Sequence, residues 1–70
     1  MVVIAFESTH AAMAAQKALE GMAFYVIPTP TDISASCGIS LRLEDDLLED
    51  AAARLEAHPD IAEHATWHYR

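Results

Sequence analysis

An α+β fold with the element order β-α-β-β-α-β is predicted by three observations. Apolar runs of β character stand at residues 2–6 and 24–27. Residues from Gly38 and again from Ala65 alternate apolar with polar at a period of two, the pattern of half-buried strands. Two segments rich in Ala and Leu, with apolar residues three and four apart, separate the strands in pairs.

The first run, Val2-Val3-Ile4-Ala5-Phe6, has no polar member and fits a central strand covered on both faces. Ser8 or Thr9 then caps a helix whose apolar face is Ala11 or Ala12, Ala15, Ala18, Leu19 and Met22, with Gly21 at its end. Side chains this small predict close packing on a sheet. Phe24-Tyr25-Val26-Ile27 is the second strand, and Pro28 and Pro30 end it by fixing φ and removing backbone donors. The loop that follows carries Ser34-Ala35-Ser36-Cys37-Gly38. Beyond it Ile39, Leu41 and Leu43 alternate with Ser40, Arg42 and Glu44 as the third strand. Asp45 or Asp46 is expected to cap a second helix with Leu47, Leu48, Ala51, Ala52 and Leu55 on one face, His58 late and Pro59 as its stop. Ala65, Trp67 and Tyr69 alternate with Thr66, His68 and Arg70 in the last strand, Trp67 and Tyr69 being assigned to core or interface.

For this order and length the economical topology is a ferredoxin-like sandwich, a four-stranded antiparallel sheet with both helices on one face. It makes residues 1–70 one domain. The other face should show Ser40, Arg42, Thr66 and His68 around Val3 and Ala5, as open surface or as a dimer seam. So short a chain lies near the lower limit for a self-sufficient core, and support from a homodimer is compatible with its length.

A single cysteine excludes an internal disulfide and any zinc set of several thiolates, so a reducing cytoplasm is the expected compartment. The start lacks basic residues and no apolar run approaches a membrane span, which predicts a chain that is neither exported nor membrane-bound. A formal charge of −7, with Lys17, Arg42, Arg54 and Arg70 scattered along the sequence, counts against nucleic acid and against anionic membranes. Proteins or small molecules are the expected partners.

In the expected topology the third strand runs antiparallel beside the first, which brings Cys37 near residues 6–10, its thiol expected to be accessible on an open rim. A helix begins there with unpaired N–H groups and the positive end of its dipole, a setting that stabilises a thiolate. His10 would assist as a cation or proton acceptor, and Glu7 would oppose by its charge. The competing reading makes Cys37 a small buried hydrophobe. His58, near a helix C-terminus, complements the dipole there, His64 and His68 read as exposed loop and strand residues, and Arg42 projects to the other face of the sheet, away from the thiol. Cys37 and His10 lack further ligands in any short motif, so no metal and no cofactor is expected.

The segments Phe6-Glu7-Ser8-Thr9-His10, Ile27-Pro28-Thr29-Pro30 and Ile33-Ser34-Ala35-Ser36-Cys37-Gly38-Ile39-Ser40-Leu41-Arg42 together resemble a small bacterial family described as putative selenium/sulfur carrier protein-like. The resemblance covers nearly the whole chain. It implies a stand-alone domain found with proteins of sulfur or selenium metabolism, in which Cys37 is the carrier residue and Ser36, Gly38 and Arg42 are its neighbours. Thr9 and His10 carry over with the start of the helix. The chain departs from the Cys-Pro-x-Pro signature of sulfurtransferase carriers, since its prolines precede the cysteine by seven and nine positions. The implied function is acceptance of sulfane sulfur or selenium on Cys37 as a persulfide or perselenide. His10 would assist the chemistry, and Thr9, Ser36 and Gly38 would line the substrate. A cysteine desulfurase-like protein would donate and a second protein would receive, so the chain is at most a sulfurtransferase-like carrier without turnover of its own. The alternative is a non-catalytic interaction or regulatory module with a structural cysteine.

Overall fold

The computed structural model describes residues 1–35 and 37–70. Its elements are β1 (Val2–Phe6), α1 (Thr9–Ala18), β2 (Tyr25–Pro28), β3 (Ile39–Leu43), a 3-10 turn (Asp45–Leu47), α2 (Leu48–Glu56), α3 (Pro59–Ala62) and β4 (Ala65–Tyr69). The strands form one antiparallel sheet in the order β2-β3-β1-β4, as the ferredoxin-like topology requires. β1 is central and all five of its residues are buried, which accounts for its having no polar member.

Alternation divides β1 between two layers. Val2, Ile4 and Phe6 face the helices and pack with Ala11, Ala12, Ala15 and Leu19, with Leu41 and Leu43 of β3, and with Ala51 and Leu55 of α2. Each large side chain so buried contributes about 1.5–3 kcal/mol. Alanines at three buried positions of α1 let its backbone sit low on the sheet. Ser8 starts that helix in extended backbone and accepts the Ala11 N–H on Oγ at 3.1 Å. Gly21, at φ +92°, turns the chain towards β2 in a region that side chains rarely enter.

On the second face Val3 and Ala5 do not lie open. The segment 29–35 crosses the sheet there and sets Ile33, 6 % exposed, against both of them, with Ile27 and Ala35 alongside. Asp32 Oδ2 accepts from Arg70 Nη1 at 2.8 Å, which fastens the segment to the end of β4. This corrects the expectation of a mixed, bare face: the loop carries its own apolar residue and uses it to cover apolar sheet.

Three local expectations also change. The Asp45 carboxylate caps no helix; it pairs with the Met1 ammonium at 2.6 Å, while Glu44 stands at the N-cap of the 3-10 turn without a side-chain bond. Pro59 does more than stop α2. It occupies the first turn of α3, where its missing N–H and fixed φ suit a helix start. Tyr69 is 68 % exposed, so of its two expected places the core is ruled out, because β4 is an edge and Tyr69 lies at its end; Trp67 packs against the helix-side core as expected.

Candidate functional site

Cys37 and the head of α1 meet at the end of β1. The Cys37 N–H donates to the Phe6 carbonyl at 3.3 Å, where β1 gives way to Glu7 and the Ser8 cap. Thr9 opens α1, and its Oγ1 stands 3.9 Å from Cys37 Sγ. The Ile39 N–H points at the same sulfur from the start of β3, at 3.5 Å. A neutral thiol donates to Thr9, whereas a thiolate accepts both the Ile39 N–H and the Thr9 hydroxyl proton. Hydrogen bonds to an ionised acceptor are the stronger kind. The first amides of α1, which have no partner within the helix, add the positive end of its dipole.

The sulfur does not lie on an open rim. Cys37 is 3 % exposed and belongs to the helix-side core. That corrects the expectation of an accessible thiol: Sγ points inward from its bend, among the residues that pack β1 on the helices. Ser34 and Gly38, both small and exposed, give no sign of this in the sequence.

His10 is exposed and lines a shallow depression of about 290 Å³ with Met13, Ala14 and Lys17 on the outer flank of α1. Among the described residues it makes no hydrogen bond to Cys37. Ser36 lies outside the described residues. Gly38 is exposed, and a Cβ placed on it would meet nothing within 4 Å, so neither crowding nor a positive φ calls for glycine there. What Gly38 supplies is its carbonyl, which accepts the Thr29 N–H at 3.0 Å. The structure thus joins Cys37 with Thr9 and leaves His10 on a separate surface.

Sequence reasoning missed the residues that hold the cysteine backbone. Thr29 Oγ1 donates to the Cys37 carbonyl at 2.9 Å and lies 2.8 Å from Ser40 Oγ. A threonine has one hydroxyl proton, so the Ser40 hydroxyl donates to Thr29 and Thr29 donates onward. Ser40 is fully buried. A serine in an otherwise well-packed strand, with a threonine between two prolines, was the available signal.

Arg42 projects to the other face as expected, its guanidinium carbon 4.7 Å from the centre of the Tyr25 ring. Near the site, Glu7 is engaged by His64, whose Nδ1 is 3.1 Å from Oε2, and its carboxylate holds the His64 pKa above 6.5. In the segment 29–35, the hydrogen bond from Arg70 holds the Asp32 carboxyl below its ordinary value. Among the described residues no group of three His, Cys, Asp or Glu side chains is arranged to hold a metal ion, and no helix is long and apolar enough to cross a membrane.

A family model described as putative Se/S carrier protein-like matches residues 1–65. No curated protein and no solved structure matches the chain.

Proposed function

This chain belongs to the family described as putative Se/S carrier protein-like, and on that premise we propose that it accepts one sulfur or selenium atom on Cys37 and passes it to a partner protein. The Cys37 thiolate attacks the outer atom of a donor persulfide, R–S–SH. A new bond forms between Sγ and that atom, the bond within the donor breaks, and the electron pair leaves on R–S⁻, which takes up a proton. Oxidation states are only exchanged, so no added oxidant or reductant is needed. Selenium follows the same steps from R–S–SeH. Release reverses the roles, a nucleophile of the acceptor attacking the outer atom and Cys37 leaving as thiolate.

The observation that carries this reading is the Ile39 N–H directed at Sγ, with the Thr9 hydroxyl 3.9 Å from the same sulfur, at the head of α1. Because the sulfur is buried, transfer requires the segment between β2 and β3 to open, and the partner would engage the opened form. The donor we infer is cysteine desulfurase-like, and a reducing compartment such as the cytoplasm would keep the thiol free. One cysteine leaves no internal thiol to resolve the persulfide, so delivery depends on the acceptor.

The test is intact mass after incubation with a low-molecular-weight persulfide. A gain of one sulfur atom, removed by reductant and absent in Cys37→Ala, supports the carrier. The 3 % exposure of Cys37 favours the second reading, an interaction module with a structural cysteine. Under that reading the thiol gains no sulfur and reacts with alkylating agents only as fast as the whole domain unfolds.

A further inference from the structure

β2 forms one edge of the sheet and exposes Tyr25 (56 %) and Val26 (50 %), with Met13 (55 %) near by on α1. Isolated apolar side chains on a surface are ordinary, but here they lie at a strand whose outer edge has no partner among the described residues, and an open groove of about 640 Å³ runs between Met13 and Phe24. The phase of the ladder follows from the Thr29 N–H bond to Gly38, since opposed residues of antiparallel strands alternate between bonded and non-bonded pairs. Tyr25 and Ile27 therefore bond inward to β3, and Val26 turns its N–H and C=O outward. Pro28 takes the next outward position, where a missing N–H costs no ladder bond.

The two sides of this edge differ in chemistry. Val26 is paired with Leu41, a helix-side residue, so it stands on the same side as the Phe24–Met13 groove. Tyr25 stands on the other, beneath Arg42. Basic side chains gather at this edge of a chain that is acidic overall. Lys17 lines the groove, Arg54 reaches the Glu20 carbonyl on its rim at 2.8 Å, and Arg42 lies on Tyr25, which places three of the four Lys and Arg side chains here. Among the described residues Glu20 is the one carboxylate lining the groove. A second copy pairing through β2 would bring these cations against their own mates.

We propose that the outer edge of β2 docks an extended peptide segment of a partner, with apolar side chains on the groove side alternating with carboxylates on the Arg42 side. Backbone bonds to Val26 would give register, and the alternation would give specificity. The docked strand would end beside Pro28, next to the Thr29 that holds Cys37, but the proposal is independent of chemistry at the thiol.

The experiment is an amide NMR titration of the whole chain with two short capped peptides, one alternating valine with glutamate and one alternating valine with lysine. The glutamate peptide is expected to shift residues 24–28, and the lysine peptide to bind about tenfold more weakly, the scale set by one charge-assisted hydrogen bond. Val26→Pro blocks the outward N–H without touching the bonds to β3 and should abolish the shifts while circular dichroism stays unchanged. Arg42→Gln leaves the edge backbone intact and should bring the two peptides towards equal affinity. No shift along β2 at millimolar peptide, equal binding of both peptides to the unaltered chain, undiminished preference in Arg42→Gln, or self-association through β2 each overturns the proposal.

Discussion

Thr9 Oγ1 and Cys37 Sγ lie 3.9 Å apart although 28 positions separate them in the chain. The contact exists because β3 returns antiparallel beside β1 and so delivers the loop before it to the start of α1. Thr9→Val keeps the shape of the side chain and removes its hydroxyl. Alkylation proceeds from the opened segment, so losing a contact that holds the closed thiol should speed labelling of Cys37 by about twofold to fivefold, the scale of a hydrogen bond worth roughly 0.5–1 kcal/mol. Stability should change little. Rates of iodoacetamide labelling, read by mass, check this; an unchanged rate would remove Thr9 from the site.

Residues 29–35 form a strap over the second face of the sheet. Ile33 anchors residues 29–35 on Val3 and Ala5, so Ile33→Ala should favour local opening and raise the labelling rate of Cys37 by about tenfold or more. Local opening exposes little surface, so the rate should stay flat at low urea. Leu55→Ala serves as the contrast. It weakens the helix-side core by about 2–5 kcal/mol in a chain whose total is roughly 4–10 kcal/mol, and should bring the urea-dependent rise in at lower urea without raising the flat portion. If Ile33→Ala labels at the unaltered rate, the strap does not control the thiol.

How these features were legible differs by element. Strands and helices were readable because period and composition agreed: β1 has no polar residue and is buried on both faces, and the apolar face of α1 is Ala11, Ala12, Ala15 and Leu19. The helix-start position of Cys37 followed from strand order alone. Its burial did not, because a side chain on a non-periodic loop has no phase from which to infer its direction. Ile33 is hidden in the sequence for the same reason, one apolar residue among Thr31, Asp32 and Ser34. Asp45 was misread as a cap because a carboxylate before a helix is equally suited to the chain's own ammonium, a partner 44 positions away.

His64 links the start of β4 to the end of β1, through Glu7 at 3.1 Å and Glu63 at 3.3 Å. Its pKa is raised, first by the Glu7 hydrogen bond and then, against partial desolvation, by the charges of Glu63, Glu7 and Asp60. A group raised on folding stabilises the protein fully below its unfolded value, and that contribution fades as pH rises through the folded value. Melting temperature should therefore fall slightly as pH climbs from below 6.5 through the raised value. Glu7→Gln should flatten this step and His64→Gln should abolish it. Both side chains are largely solvated, so the step is small and shrinks with added salt. A melting temperature independent of pH across this interval would show that the pair contributes nothing.

The relay from Ser40 through Thr29 to the Cys37 carbonyl predicts strong non-additivity. Thr29→Val leaves the buried Ser40 hydroxyl without its acceptor, and an unpaired buried group costs about 1–3 kcal/mol. Ser40→Ala removes only one donor, and Thr29 still bonds the carbonyl, so it should cost about 1 kcal/mol or less. In the double variant no orphaned hydroxyl remains. Its loss should fall short of the sum of the single losses by about 0.5–3 kcal/mol, the range for residues in direct contact. Labelling of Cys37 separates this from a purely structural pair: Thr29→Val frees the carbonyl and should speed it, whereas Ser40→Ala should not. Additive losses in urea denaturation, or equal labelling in the two single variants, would show that Thr29 does not hold the cysteine in place.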